Sequence, residues 1–351
     1  MANVIKDGAY VLARECEELK EFESDLDTAH LVGEWQIPRR PEPASGGIPY
    51  IWKWPLMLNM MRQGCEVVGL EEGGRRSILF VNPEIPTKGT TLALRVGLQM
   101  LKPREIAWAH RHTMSALRFV VKGRPQAYTV VDGEKLYMEE NDLILTPQGM
   151  WHHHENPTDE PVVWLDAIDT PFVKNVNAIF YEQYPTMQQP FVADGDSVAR
   201  KIGWARSHED VVVAEKGLPV AYKWKTTREQ LQRVADKKGD PYDGAILEYV
   251  NPVTGGPVLP TIDCHVQMLR RGEQTKEHRH TSGTVYFVIE GEGRTFAGGE
   301  VLSWSKGDGF VVPNWCWHHH KNLHGEASVL FSVSDAPLLK AVQLYREETR
   351  E

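Results

Sequence analysis

The sequence predicts a protein dominated by β-structure, two barrels or jelly rolls in tandem behind a helical N-terminal arm. Three observations predict it. Short β-prone runs alternate with turn pairs at regular intervals. Ten of the 14 histidines fall in two clusters, His110/His112 with His152-His153-His154 and His278/His280 with His318-His319-His320. The clusters repeat at a spacing of about 167 residues within a chain of 351, enough for two medium cores.

In chain order, residues 11 to 28 place Leu12, Leu19, Phe22 and Leu26 at roughly heptad spacing among carboxylates, which predicts an amphipathic helix. A Pro- and Gly-rich stretch from Pro38 to Pro49 leads into Tyr50-Ile-Trp-Lys-Trp54, whose aromatics would pin the arm to the core. Strands are expected over Ser77–Val81, Thr90–Val96, Leu117–Val121, Ala127–Val131, Asp142–Thr146 and Val162–Ile168. Lys122-Gly123, Asp132-Gly133, Glu140-Asn141 and Pro147-Gln-Gly149 supply hairpin turns between them. Residues 175 to 245, with an Asp-Gly-Asp turn and a helix expected over Thr227–Ala235, read as a connecting segment. The β pattern returns from Ala245 to Ser334 and closes on a helical tail, Leu338–Arg346. The expected division is an arm over 1–75, a first barrel over 76–175, a linking segment over 176–245, and a second barrel with its tail over 246–351.

Composition narrows the function classes. A net charge of −9 without basic runs argues against nucleic acid and anionic membranes as partners and leaves a small soluble substrate. Four scattered cysteines with no C-x-x-C suit a reducing compartment, and the opening Met-Ala-Asn-Val-Ile-Lys-Asp has no apolar signal core, so a cytoplasmic location is expected.

Side chains at i and i+2 of a strand share a face, so His110 and His112 can both project into a barrel interior, where one histidine from a neighbouring strand completes a triad. Three neutral imidazoles on one face of an octahedral ion leave positions for a chelating substrate and dioxygen.

The spacing resembles that of the cupin superfamily. Its first motif sets a glycine six residues before His-x-His, as Gly272 stands before His278; its second runs from a glycine through a proline to a histidine and an asparagine four apart. Gly307 and Pro313 keep that second spacing, and His152/Asn156 and His318/Asn322 match the last pair. There are departures. The motif glutamate is absent from both halves, where Ala116/Leu117 and Thr284/Val285 stand, and Arg104 and Asn141 replace motif glycines in the first half. The run from His110 to Phe119, Trp151-His152, the segment Val163 to Asp169, Trp52-Lys-Trp54, Arg75-Arg76 and Gly97-Leu-Gln99 resemble, more narrowly, the gentisate 1,2-dioxygenase family. That family includes enzymes cleaving salicylate, 5-nitrosalicylate and 1-hydroxy-2-naphthoate, and the resemblance covers most of the chain.

The resemblance implies a bicupin chain, assembled into homo-oligomers with a tetramer favoured, carrying Fe(II) in the first cupin on His110, His112 and His152. Arg118 would grip the carboxylate of a small aromatic 2-hydroxy acid, Gln99 would wall the pocket, and Arg75, with Arg76 as its rival, would add a second cation. His154 and Asp166 would form a pair that positions substrate or moves a proton. His153 stands where the family carries an acid and is expected at the surface or an interface. Arg95 replaces a usual aromatic, and with Gly97 it points toward 5-substituted salicylates such as 5-nitrosalicylate beside gentisate itself. The second site, His278, His280 and His318, is expected to be empty or weakly occupied, because Tyr286 stands where the first half has Arg118. The expected activity is insertion of both atoms of O2 between the carboxyl-bearing and hydroxyl-bearing ring carbons. Two other classes remain: a metal-dependent isomerase or decarboxylase, and a non-catalytic bicupin binding protein, against which the retention of all six histidines speaks.

Overall fold

The computed structural model describes residues 3–6, 9–12, 16–70, 75–191, 193–194, 198, 217–323 and 325–350. Two compact units result, Met1–Ser45 and Gly46–Glu351.

In the first unit, Asn3–Lys6 and Ala9–Leu12 pair antiparallel, and a helix spans Glu17–Thr28. The helix expected from residue 11 therefore starts later, because the β-prone run Ala9–Leu12 finds a strand partner in Asn3–Lys6. Trp35 stacks on Phe22 of that helix with ring centroids 6.2 Å apart.

The second unit holds two β-sandwich barrels. In the first, one sheet runs in the order Ala221–Tyr222, Leu143–Thr146, Ala116–Lys122, Val162–Ile168, Arg95–Leu101, Ser77–Leu79. The facing sheet carries the histidines on Ile106–His112 and His152–Glu155. The second barrel repeats this plan, with its histidines on His278–His280 and His318–Asn322. Alternation along Ala116–Lys122 sends Leu117 and Phe119 outward into a core shared by both barrels, where Phe119 stacks on Phe331 at 4.1 Å, and sends Arg118 and Val120 inward.

The two expected motif glycines missing from the first half leave a visible trace. Arg104 and Asn141 adopt φ of +63° and +66°, the left-handed conformation that Gly272 (+69°) and Gly307 (+90°) supply in the second half. The turn geometry is thus conserved between the halves at a strain of about 1–3 kcal/mol per non-glycine residue.

Three expected elements move. The strand placed at Thr90–Val96 forms instead over Arg95–Leu101. Thr90 and Thr91 turn the chain first: Thr90 Oγ1 accepts from Val96 N at 2.8 Å and Thr91 Oγ1 accepts from Leu94 N at 2.9 Å. The C-terminal helix is short, Ala336–Ala341; Gln343 at φ +61° breaks it, and Glu347–Thr349 adds as a strand beside His278–His280. A helix over Trp54–Val67 was not foreseen, and the one near Thr227 begins at Trp224. Gly195 and Asp196 of the expected Asp-Gly-Asp turn, and residues 199–216 of the connecting segment, lie outside the described residues.

The arms preceding the two barrels are exchanged. Tyr50–Trp52 pairs with Gly309–Val311 of the second barrel, whereas Ala221–Tyr222 pairs with Leu143–Ile144 of the first. Each arm is anchored the same way. Asp308 accepts from Trp54 N at 2.8 Å and pairs with Lys53 at 2.7 Å; Asp142 accepts from Trp224 N at 2.8 Å and pairs with Lys223. Trp52-Lys53-Trp54 and Tyr222-Lys223-Trp224 are therefore a second repeated motif.

Candidate functional site

The first histidine cluster forms from strand geometry alone. His110 and His112 share the inner face of their strand, and His152 sits in register opposite His110. Each Nδ1 lies beside a main-chain carbonyl: Trp108 O at 2.9 Å from His110, Met114 O at 2.9 Å from His112 and Met150 O at 3.0 Å from His152. A carbonyl only accepts, so each Nδ1 carries the proton and each Nε2 presents a lone pair. The ligand atoms of the three rings lie within 4.8 Å of one another, and the buried Nε2 of His152 has no hydrogen-bond partner. Burial, reinforced by Arg75, pushes His112 down to about 4, and burial with the neighbouring His110 holds His152 well below the usual imidazole range. Neutral imidazoles whose Nε2 lone pairs converge are the donor set a divalent transition metal requires.

Above this triad opens a cavity of about 270 Å³ lined by Arg75, Arg95, Gln99, Arg118, Asp166 and Tyr181, among others. Arg118 is 2% exposed; Asp166 is its ionic neighbour at 3.5 Å, and its guanidinium also donates to Thr146. Alternation decides between the two neighbouring arginines. Arg75 reaches the cavity and donates to His110 Nε2 at 2.7 Å and toward His154 Nε2 at 2.9 Å, while Arg76 turns away into an ion pair with Glu105. Burial, and then Arg118, lowers Arg75 to about 9. Gln99 is fully buried, its Oε1 3.2 Å from Ser77 Oγ and its Nε2 unpartnered. Arg95 lines the cavity with its Nε also unpartnered.

Two sequence expectations need correction. His154 and Asp166 do not form a pair: His154 is flanked by Arg75 and, at 2.8 Å from its Nδ1, by Thr129 Oγ1, and Asp166 belongs to Arg118. His153 does face away from the triad, but it is 2% exposed rather than at the surface, because the neighbouring strand Arg124–Val131 pairs alongside it. Several lining residues were missed, Tyr181 the most telling among them. Tyr181, on a strand within the segment read as a connector, stacks on His110 at 5.1 Å. A signal existed. Glu182 pairs with Arg111 at 2.6 Å as Glu348 pairs with Arg279 at 2.6 Å, so the repeat extends into both closing strands.

The second triad repeats the first. His280 Nδ1 lies 2.8 Å from Ser282 O and His318 Nδ1 2.9 Å from Cys316 O, and the ligand atoms of His278, His280 and His318 again lie within 4.8 Å. The motif asparagines hold both hairpins shut. Asn156 donates to Lys102 O and Glu160 O at 3.0 and 2.8 Å, and Asn322 to Arg270 O and Glu326 O at 2.9 and 2.8 Å.

Paired barrels with a histidine triad inside each define a bicupin, and residues 97–168 and 265–334 match the Cupin domain family. The chain is 37% identical over 349 residues to 1-hydroxy-2-naphthoate 1,2-dioxygenase of Nocardioides sp. (strain KP7), covering 96% of this chain and 89% of that one. It is 36% identical over 347 residues to 5-aminosalicylate 1,2-dioxygenase of Comamonas sp, covering 93% and 91%. It also superposes on the crystal structure of salicylate 1,2-dioxygenase from Pseudoaminobacter salicylatoxidans with gentisate, with a TM-score of 0.86, 30% identity, and coverage of 97% and 96%. The chain belongs to the family of ring-cleaving gentisate- and salicylate-type 1,2-dioxygenases, and is an oxidoreductase of that kind. Among the described residues no helix is long and apolar enough to cross a membrane.

Proposed function

We propose that this protein is an Fe(II)-dependent dioxygenase acting on gentisate or a 5-substituted salicylate, with the ion held by Nε2 of His110, His112 and His152. The observation that carries the proposal is the convergence of three unprotonated Nε2 atoms beneath a cavity walled by Arg75, Arg95 and Arg118. When bound, iron supplies the electron-transfer chemistry that lets dioxygen react with a closed-shell aromatic ring.

The chain's own residues do the rest. Arg118 sits at the cavity wall with Asp166 as its ionic partner, and a substrate carboxylate gives its buried guanidinium a second anion. Arg75 adds a donor on the same side, and Gln99 Nε2, buried and unpartnered, is available to the ortho-hydroxyl oxygen. Held at two points, the ring is fixed over the triad, which converts an encounter into an oriented reaction. His154, hydrogen-bonded between Thr129 and Arg75, sets Arg75 in place, and Asp166 keeps Arg118 charged and aimed. Arg95 meets the ring substituent and favours one that is anionic or electron-rich, such as nitro. Residues 76–175 are then the catalytic barrel and 246–351 the supporting one, with 1–75 as the arm and 176–245 as the link, in a cytoplasmic homotetramer.

Oxygen uptake by the Fe(II)-loaded protein is the test, with gentisate, salicylate, 5-aminosalicylate, 5-nitrosalicylate and 1-hydroxy-2-naphthoate as substrates. Uptake with at least one, matched by loss of substrate, is expected. No uptake with any of them, or activity restored by zinc without oxygen consumption, rejects the proposal.

A further inference from the structure

His278, His280 and His318 are 3%, 9% and 0% exposed, and the Nε2 atoms of His278 and His318 are buried with no hydrogen-bond partner. In the first barrel the corresponding position is not left bare, since Arg75 donates to His110 Nε2. Among the described residues the second barrel shows no such donor. Ser77 and Ile246 occupy the same register, opposite Gln99 and Gln267, and the residue two before each is Arg75 in one barrel and Gly244 in the other. Lone pairs that converge without a proton donor call for a cation.

The surroundings favour one. Among the described residues, the cavity over this triad, about 150 Å³, is lined by Asp243, Asp263 and Glu347 against one lysine, Lys340, and by no arginine. Glu347 is the particular device. It arrives on the C-terminal strand that pairs with His278–His280, and its Oε1 lies 3.3 Å from His278 Nδ1. A carboxylate behind a ligating imidazole fixes the tautomer with Nε2 free and raises that nitrogen's basicity. In the first barrel the same register position is Tyr181, which has no charge to offer.

We propose that the second barrel binds a divalent first-row transition metal of its own on His278, His280 and His318, backed by Glu347, as a structural site. An all-imidazole set selects such an ion over magnesium or calcium. The lining offers an organic carboxylate no arginine to grip it, so the ion is assigned no aromatic acid; its role is to fasten the closing strand Glu347–Thr349 to the histidine strand. This reverses the expectation of an empty or weakly occupied site, which rested on the missing arginine. That absence removes a substrate grip and leaves the ligands intact.

Metal-free full-length protein titrated with Co(II), followed by visible absorption and equilibrium dialysis, should take up two equivalents per chain. H318A and H152A should each take up one. E347Q keeps every ligand, so it serves if H318A does not fold; its second equivalent should bind about 10- to 100-fold more weakly. A single equivalent in the wild type, two equivalents persisting in H318A, or unchanged second-site affinity in E347Q would overturn the proposal. The readout counts ions and is independent of the oxygenase reading of the first barrel.

Discussion

Position by position, the second pocket loses the cations of the first and gains anions on the same backbone. Arg95 opens the strand that pairs with Val162–Ile168, and Asp263 opens its counterpart pairing with Ser328–Ser334. Arg118 faces Asp166 across the sheet in one barrel, and Tyr286 faces Ser332 in the other. Tyr181 beside the first histidine strand becomes Glu347 beside the second, and Arg75 becomes Gly244. The histidines, the carbonyl partners of two of the three in each triad and the hairpin asparagines do not change. The difference teaches that the ligand set and the pocket charge are separable: strand register fixes the first, while a few inward side chains choose between an anionic organic substrate and a bare cation.

The widest gap between the barrels should appear on removing one ligand from each. His152→Ala should abolish oxygenase activity, a loss exceeding the roughly 10–100-fold typical of changes behind a metal ligand. His318→Ala should leave turnover near wild type. Equal losses in steady-state oxygen uptake would erase the proposed division of labour. Next in size is the arginine. Arg118→Leu should cost about 2–5 kcal/mol in kcat/KM, part of it from leaving Asp166 without its counter-charge. Tyr286→Phe, at the matching position, should cost nothing measurable in the same assay. A smaller effect is expected at the rim, where Arg95→Trp should shift the ratio of gentisate to 5-nitrosalicylate activity toward gentisate by on the order of tenfold; an unchanged ratio removes Arg95 from specificity.

The smallest effect sharpens the comparison through pH. Asp169 accepts from Ser115 N at 2.9 Å and Asp335 from Gly283 N at 2.9 Å, the same contact in each barrel. Burial raises Asp169 to about 6 and Asp335 to about 7 from a usual 3.8. Between the unfolded and folded values the native state holds the proton more tightly, so this contribution is present in full below about 4 and declines as pH rises. The decline ends near 6 for Asp169 and near 7 for Asp335. Asp335→Asn should therefore flatten the loss of stability between about pH 4 and 7 seen in urea midpoints, and Asp169→Asn should flatten the narrower part of it up to about 6. Parallel profiles for variant and wild type would show that neither carboxyl is protonated in the native state.

Much of this was legible beforehand. The i, i+2 spacing of His110 and His112 and the distant His152 announce a shared inner face, because strand alternation leaves no other arrangement. Arg118 and Gln99 followed from the family resemblance, and both line the cavity. Tyr181 and Glu347 were not legible. Each reaches its site on a short edge strand whose pairing is decided by a partner far along the chain, and Glu347 follows directly on the tail expected to be helical, which Gln343 breaks. His154 was assigned a partner by analogy, and packing gave it Thr129 and Arg75 instead.

By itself the sequence determined the duplication, the β class and both histidine triads, since these depend on residue spacing along single strands. Only the tertiary structure decided which arm closes which barrel, which of Arg75 and Arg76 enters the cavity, and that the second triad is framed by acids. Those outcomes depend on long-range strand pairing and on which side of a pleat faces inward, and no local pattern carries that information.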